Sequence, residues 1–222
     1  MDIEIWSDIA CPWCYVGKRR FEAALAEFEH ADATTVTWRS FELDPTAPAE
    51  RPGEGAAHLA EKYGMTLEQA HASQAGLAEN AAGEGIEMRF DIQRMGRTFD
   101  GHRLIHLAAE HGVQDAVKER LMRAYFTEGA LMSDHETLIA LASEAGLDAE
   151  EARATLAGDR FAAEVRVDEQ DAQRLGISAV PTFVVNRALG VSGAQPPKEL
   201  LSFLREGWAR YAAATPAESA RG

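Results

Sequence analysis

The chain has 222 residues, and 22 Lys and Arg against 36 Asp and Glu give it a formal net charge of −14 at pH 7. Nucleic acids and anionic membranes bind basic surfaces, so this acidic balance argues against both as partners. Hydrophobic residues make up 46% of the chain and charged residues 26%, as in a folded globular protein. No window approaches the ~18 consecutive apolar residues of a membrane span, and the acidic first residues do not resemble a secretory signal. We therefore expect a cytoplasmic protein.

The first predicted strand begins at Ile3 and leads directly into the motif Cys11-Pro12-Trp13-Cys14, which holds both cysteines of the chain. A helix is predicted from Pro12, because the fixed φ of proline and its missing N–H suit the first helical position. Apolar side chains recur in this helix at spacings of seven, four and three residues, at Cys14, Phe21, Leu25 and Phe28. The spacing places Cys14 on the buried stripe and Cys11 at the helix tip.

The middle of the chain is predicted to be helical. A second strand, Thr34–Phe41, is rich in β-branched and aromatic residues, and a segment with Pro and Gly follows it. From residue 56 to 158 the pattern is that of successive helices, with Asp134 and Asp148 as two of the capping residues that open them. Ile86–Phe90 is the one weak strand candidate in this region. We interpret residues 56–158 as an all-helical insertion.

The last part of the chain returns to alternating helices and strands. A helix is predicted over Arg160–Leu175, a buried strand over Val180–Val185, a short partner strand at Val191–Ser192, and then a final helix. This order predicts an α/β fold in which residues 1–55 and 159–214 form one discontinuous domain around the insertion. Residues 215–222 are small and polar, and we expect them to be a flexible tail.

A CxxC motif between a strand and a helix is a specific signal of thiol chemistry. The unpaired N–H groups and partial positive charge of a helix N-terminus favour a thiolate at Cys11, and can lower a cysteine pKa from about 8.5 to the range ~3.5–7.5. Cys11 is therefore predicted to attack a substrate disulfide, and the shielded Cys14 to resolve the mixed disulfide. Pro12 and Trp13 tune the couple. Because Trp13 offers no cation, we expect a reduction potential between those of strong oxidants and strong reductants.

A zinc site is the alternative interpretation of the motif. The chain has two cysteines, so further ligands would be histidines or carboxylates, and His102 and His106 lie four residues apart on a predicted helix. The histidines are far along the chain from a motif whose tryptophan packs poorly around a metal. We therefore predict no metal, and we keep a non-catalytic binding module with structural or metal-bound cysteines as a separate hypothesis.

Pro181 stands at the start of the buried strand near the end of the chain. A proline there is commonly an ordinary trans residue. In a small fold with a CxxC helix, however, we predict a cis Val180–Pro181 bond lying against the cysteines. This bond would leave the backbone of Val180 free to pair with an extended substrate peptide beside Cys11.

The sequence resembles the DsbA-like thioredoxin-fold family, and within it the cytoplasmic FrnE-type branch. The segments that carry the resemblance are 7–17 around the CPWC motif, 98–106, 180–183 and 191–195, so the likeness covers nearly the whole chain. The resemblance implies an α/β thioredoxin-like fold interrupted by a helical insertion, a redox-active pair Cys11 and Cys14, and a cis proline at Pro181. It also implies that Phe99 and His102 line the substrate groove.

The expected function is that of a thiol–disulfide oxidoreductase or disulfide isomerase on protein or peptide disulfides. No bound cofactor is expected, and glutathione, another small thiol or a reductase would recycle the pair. The chain lacks the extra cysteine pair of some members of the branch, and Trp13 stands where the periplasmic oxidants carry histidine. A competing function is that of a glutathione-dependent isomerase or transferase of the 2-hydroxychromene-2-carboxylate isomerase or kappa-class type, acting on a small molecule. Asp8 and Glu22 are candidates for a buried acid that assists Cys14.

Overall fold

The sheet of the protein has four strands in the order β2-β1-β3-β4 in the computed structural model, which describes residues 1–214. The strands are β1 (Asp2–Ser7), β2 (Thr35–Ser40), β3 (Thr182–Val185) and β4 (Leu189–Ser192). β1 runs parallel to β2, with Ser7 opposite Ser40, and antiparallel to β3, with Ile5 opposite Phe183. β3 and β4 form an antiparallel hairpin. The four predicted strands are thus confirmed, with ends that differ by a few residues.

Alternation along β1 sends its side chains to two different layers of helices. Ile3 and Ile5 are completely buried in the main core, on the same side of the sheet as Phe183. Trp6 faces the opposite side, where it packs with Val184 and with Ala172 of the last helix before β3. The sheet is therefore covered on both faces.

Within residues 1–214 the chain forms nine α-helices and a short 3-10 helix at Ala31–Ala33. The α-helices are α1 (Pro12–Ala26), α2 (Gly55–Tyr63), α3 (Leu67–Gly83), α4 (Phe99–Glu110), α5 (Gln114–Thr127), α6 (His135–Glu144), α7 (Ala149–Ala157), α8 (Ala162–Arg174) and α9 (Pro197–Ala214). α1 packs against α9, α8 packs against β2, and α4 and α5 approach β2 from the helical region. Buried apolar residues of the sheet and of α4 to α7 belong to one core cluster.

The predictions for Ile86–Phe90 and for the C-terminal tail have different outcomes. Ile86–Phe90 is not a strand, although Ile86 and Met88 are buried. Its backbone instead bonds to the end of α5, since Arg89 N–H donates to Phe126 O at 2.7 Å, and no strand lies beside it within the described part of the chain. The tail predicted at residues 215–222 lies outside the described residues. No helix among residues 1–214 is long and apolar enough to cross a membrane.

Replacing Phe21 by alanine tests the contact between α1 and the sheet. Its ring is 2% exposed and stacks on Phe183 with 5.3 Å between centroids, so the substitution should leave a cavity in the main core. We expect the free energy of unfolding to fall by about 3–5 kcal/mol in a denaturant titration. The control is Tyr63→Ala, on a side chain 61% exposed, which should change it by less than about 0.5 kcal/mol. Equal effects of the two substitutions would contradict this packing.

Candidate active site

Cys11 occupies the N-cap position of α1. Its backbone is extended, with φ −90° and ψ 112°, and its carbonyl accepts hydrogen bonds from the N–H groups of Cys14 at 3.0 Å and Tyr15 at 3.3 Å. Pro12 takes the first helical position, as predicted from the sequence. The motif thus places Cys11 at the helix tip and Cys14 one turn further, on the core side.

The two cysteines differ in their access to solvent. Both are free thiols; Cys11 is 5% exposed and Cys14 is completely buried. The Cys11 thiol donates to the Val180 carbonyl at 3.7 Å, and the Val180–Pro181 bond is cis, as predicted. Trp13 is 44% exposed beside them. Cys11 therefore keeps a small solvent-exposed surface at the helix tip, whereas Cys14 has none.

The pKa of Cys11 in the reduced pair is raised well above its ordinary value, whereas the helix terminus alone predicts a lowered pKa. The causes are the hydrogen bond with the Cys14 side chain, burial of the thiol, the charge of an ionised Cys14 and the charge of Asp8. The N–H of Cys14 at the helix terminus does lower the pKa, as expected, but these effects outweigh it. The reduced pair therefore holds its second proton firmly once the first has left.

Asp8 is a buried carboxylate directly before the motif. It is 2% exposed and accepts hydrogen bonds from Leu43 N–H at 2.8 Å, from Thr98 Oγ1 at 2.8 Å and from Ala10 N–H at 3.3 Å. Its Oδ1 also lies 3.3 Å from His102 Nε2. Burial alone would raise the pKa of Asp8, but the hydrogen bonds outweigh it and hold the pKa below its usual value. Asp8 is therefore an anion next to the cysteines.

His102 is completely buried beneath this carboxylate, so the direct substrate contact implied by the resemblance is not what the structure shows. Burial lowers the pKa of His102, which makes it a neutral ring at pH 7, and its Nδ1 has no hydrogen-bond partner. His102 contacts the site through Asp8. It can therefore position the motif rather than bind a substrate.

Phe99 is half-buried at the start of α4, and its ring lies 4.4 Å from the guanidinium of Arg166 on α8. Arg166 also donates to Glu42 at 2.6 Å and to Glu169 at 2.7 Å. Burial raises the pKa of Glu42 to about 7 despite this partner. Phe99 is thus held in a cation–π and ion-pair cluster, and its contact with a substrate stays a prediction.

His102 and His106, the two histidines considered as metal ligands, contact different residues. His102 Nε2 lies near Asp8, whereas His106 Nε2 lies 3.1 Å from Asp168 Oδ2 and 3.1 Å from Ser40 Oγ. Among the described residues, no three His, Cys, Asp or Glu side chains are grouped so that they could hold a metal ion. The histidine pair is therefore used within the fold.

Of the two acids proposed near Cys14, Asp8 is the one at the site. Glu22 instead binds Lys18 and, at 3.0 Å, Arg19 on the outer part of α1. Lys118 on α5 is a site residue that was not predicted; it is completely buried, and its Nζ donates to Ser7 O at 3.0 Å just before Asp8. A lysine in an amphipathic helix is normally solvent-exposed, so the sequence carried no signal for this position.

Gly17 allows α1 to approach the cis-proline loop closely. A Cβ atom at this position would lie 2.7 Å from Pro181 Cγ and 3.6 Å from Ala194 Cα. Two turns of α1 thus contact the loop that presents Val180 to Cys11. The absence of a side chain at Gly17 therefore sets how closely α1 approaches the loop that carries Val180 and Pro181.

A mixed four-stranded sheet with a paired-cysteine helix tip against a cis proline defines a thioredoxin-fold protein with a dithiol site. The chain belongs to the DsbA-like thioredoxin domain family, whose model matches residues 2–205. This confirms the family identified from the sequence, and it places the chain in a family of oxidoreductases.

Similar proteins support the same family. The chain is 47% identical to a probable DsbA oxidoreductase of Streptomyces coelicolor, with a TM-score of 0.91, covering 100% of this chain and 94% of that one. It is 29% identical to the uncharacterized protein YwbO of Bacillus subtilis over 82% of this chain and 86% of that protein. The fold is also that of the cytosolic disulfide reductase DsbM of Pseudomonas aeruginosa, solved with GSH, at 20% identity and a TM-score of 0.66, covering 94% and 100%.

Gly17→Ala should displace the cis-proline loop, because its Cβ would overlap the Pro181 ring. We expect the free energy of unfolding to fall by about 1–3 kcal/mol and the alkylation rate of Cys11 to change. Gly76→Ala in α3 is the matched control, since its Cβ meets nothing within 4 Å. It should raise stability by about 0.5–1 kcal/mol. A Gly17→Ala protein as stable as the control would show that the close approach has no energetic weight.

Proposed function

We propose that the protein is a thiol–disulfide oxidoreductase or isomerase of the FrnE-type branch that acts on disulfides of proteins or peptides. The observation that supports this most is the unequal access to the two free thiols at the start of α1. Cys11 attacks a substrate disulfide and forms a mixed disulfide. Cys14 then attacks the Cys11 sulfur, which releases the second substrate thiol and leaves a Cys11–Cys14 disulfide.

Substrate binding in this proposal is mostly through the main chain. Val180 is half-buried and its carbonyl lies at the Cys11 thiol, so an extended segment could pair with the backbone there. Trp13, two residues after Cys11, offers an exposed ring. Main-chain pairing beside one apolar surface suits varied peptide sequences, which is what an enzyme acting on many disulfides needs.

The surroundings of the motif favour a potential between those of strong oxidants and strong reductants. Strong oxidants stabilise their reduced form through a cysteine of very low pKa. Here the hydrogen bond with the Cys14 side chain, burial and the charges of Cys14 and Asp8 raise the pKa of Cys11 in the reduced pair. We therefore propose that the pair reduces or reshuffles disulfides, recycled by glutathione or another thiol in the cytoplasm. The likeness to a cytosolic disulfide reductase solved with GSH supports that compartment and that partner.

Insulin reduction and the rescue of scrambled ribonuclease test the reaction. Cys11→Ser should abolish both activities, because the attacking sulfur is gone. Cys14→Ser should still attack but stop at a mixed disulfide that mass spectrometry detects as a covalent adduct. Wild-type protein without activity, or activity unaffected by Cys11→Ser, would refute the proposal. Full turnover of a small-molecule substrate by Cys14→Ser with added glutathione would instead indicate the isomerase or transferase chemistry.

The reduction potential tests the direction of the reaction. We expect titration of the pair against glutathione to give a value above that of thioredoxin, about −270 mV, and below that of DsbA, about −120 mV. The Cys11→Ser protein is the control, because it cannot form the internal disulfide. A value at or below that of thioredoxin would contradict the intermediate potential.

A further inference from the structure

Lys118 is a completely buried cation that the proposed reaction does not yet use. It lies on α5, and its Nζ donates to the carbonyl of Ser7 at 3.0 Å, at the end of β1. The ring of Trp38 is 5.7 Å away. Burying an ammonium ion costs free energy unless it has a charged partner. The buried position of Lys118 therefore needs a physical explanation.

A second buried lysine shows what such a partner normally is. Lys18 on α1 lies 5.9 Å from the same Trp38 ring, and it forms ion pairs with Glu22, with Asp115 at 3.1 Å and with Glu119 at 3.2 Å. Lys118 forms no ion pair with any carboxylate in residues 1–214. The two lysines are thus equally buried, but one of them lacks a carboxylate partner.

The anions available to Lys118 are at the dithiol site. The charged or titratable groups around it are Cys11, Cys14 and Lys18 from α1, Asp8 from the loop after β1, and His102 from α4. His102 is neutral, Lys18 repels, and Asp8 already accepts four hydrogen bonds from other groups. Burial lowers the pKa of Lys118 to about 8, opposed by Cys14 most, then by Asp8 and Cys11. Lys118 is therefore a cation at pH 7, and ionisation of Cys14 would give it the strongest of these counter-charges.

Building on the proposed function, we propose that Lys118 is the positioning residue of the resolving step, where its buried ammonium stabilises the thiolate of Cys14. In the mixed disulfide Cys11 has no proton to lose, so Cys14 alone can ionise beside Lys118. The Cys14 thiolate attacks the Cys11 sulfur, the Cys11–Cys14 bond forms, and the bond from Cys11 to the substrate sulfur breaks. The substrate sulfur leaves as a thiolate and takes a proton from solvent.

Reaction of the reduced protein with oxidised glutathione separates the two steps. Acid quenching and mass spectrometry follow the Cys11–glutathione adduct, and its decay between pH 5 and 10 reports the resolving step. Lys118→Met removes the charge and keeps an apolar chain of similar length. Lys18→Met is the matched control, because it removes an equally buried lysine whose charge is neutralised by carboxylates.

We expect the pH midpoint of adduct decay to move upward by about one pH unit in Lys118→Met. At pH 7 this would cut the thiolate fraction about tenfold, but a more basic thiolate is a better nucleophile, so decay should slow about threefold. The adduct would therefore accumulate in Lys118→Met and not in Lys18→Met. An unchanged midpoint in a folded Lys118→Met protein would overturn the proposal. Wild-type protein that forms no adduct would refute the proposed function instead.

A measurement on the wild-type protein decides the matter if Lys118→Met fails to fold. The chain has four lysines, at positions 18, 62, 118 and 198, so the Nζ signals of a lysine-labelled sample can be titrated separately by NMR. The anionic sulfur raises the pKa of Lys118, and disulfide formation removes that charge. We expect a lower pKa for Lys118 in the oxidised than in the reduced protein. The same pKa in both states would overturn the proposal.

Discussion

The buried carboxylate of Asp8 is the constraint on which the geometry of the site depends. Its oxygens accept hydrogen bonds from the segment after β2, at Leu43, and from the start of α4, at Thr98 and His102. Thr98 is the N-cap residue of α4, yet its side chain makes no capping bond and binds Asp8 instead. One side chain thus joins the loop before the cysteines to β2 and to the helical region. A buried anion with this many donors is fixed in place, and so is the loop that leads to Cys11.

The same carboxylate adds a negative charge near the thiols. Its negative charge contributes to the raised pKa of Cys11, so it disfavours a second charge on the pair. Lys118 has the opposite effect on the charge of the site, because it is a cation held at the end of β1. With His102 neutral, the charges of Asp8 and Lys118 cancel when neither sulfur is ionised, and each thiolate adds one negative charge to the site. Such a site stabilises neither a fully reduced dianion nor a strongly oxidising couple, which agrees with an enzyme that exchanges disulfides in both directions.

Local patterns in the sequence predicted the elements that carry the site, since strand, proline and apolar spacing act over a few residues. The start of α1 at Pro12 and the buried side of Cys14 were predicted in this way, whereas the cis bond before Pro181 was predicted from its place in a small fold with a CxxC helix. The burial of His102 and Lys118 could not be predicted, because it depends on how α4 and α5 pack against a loop far away in the chain. The raised pKa of Cys11 comes first from the Cys14 side chain in the same motif and then from burial, and the prediction from the helix terminus weighed neither. A helix terminus is a local feature, whereas the burial of the Cys11 thiol is set by tertiary structure.

Lys18 and Lys118 show why residue type alone does not determine a role. Both are buried, both lie near the ring of Trp38, and each could be taken for a structural cation. Lys18 has three carboxylates around it, so its charge is neutralised within its own cluster and has little effect on its surroundings. Lys118 has a backbone carbonyl and a ring instead, and neither cancels a full charge. Its field therefore extends to the nearest groups that can become anionic. In this fold those groups are Cys14, Asp8 and Cys11, of which the two sulfurs gain and lose charge during the proposed disulfide exchange.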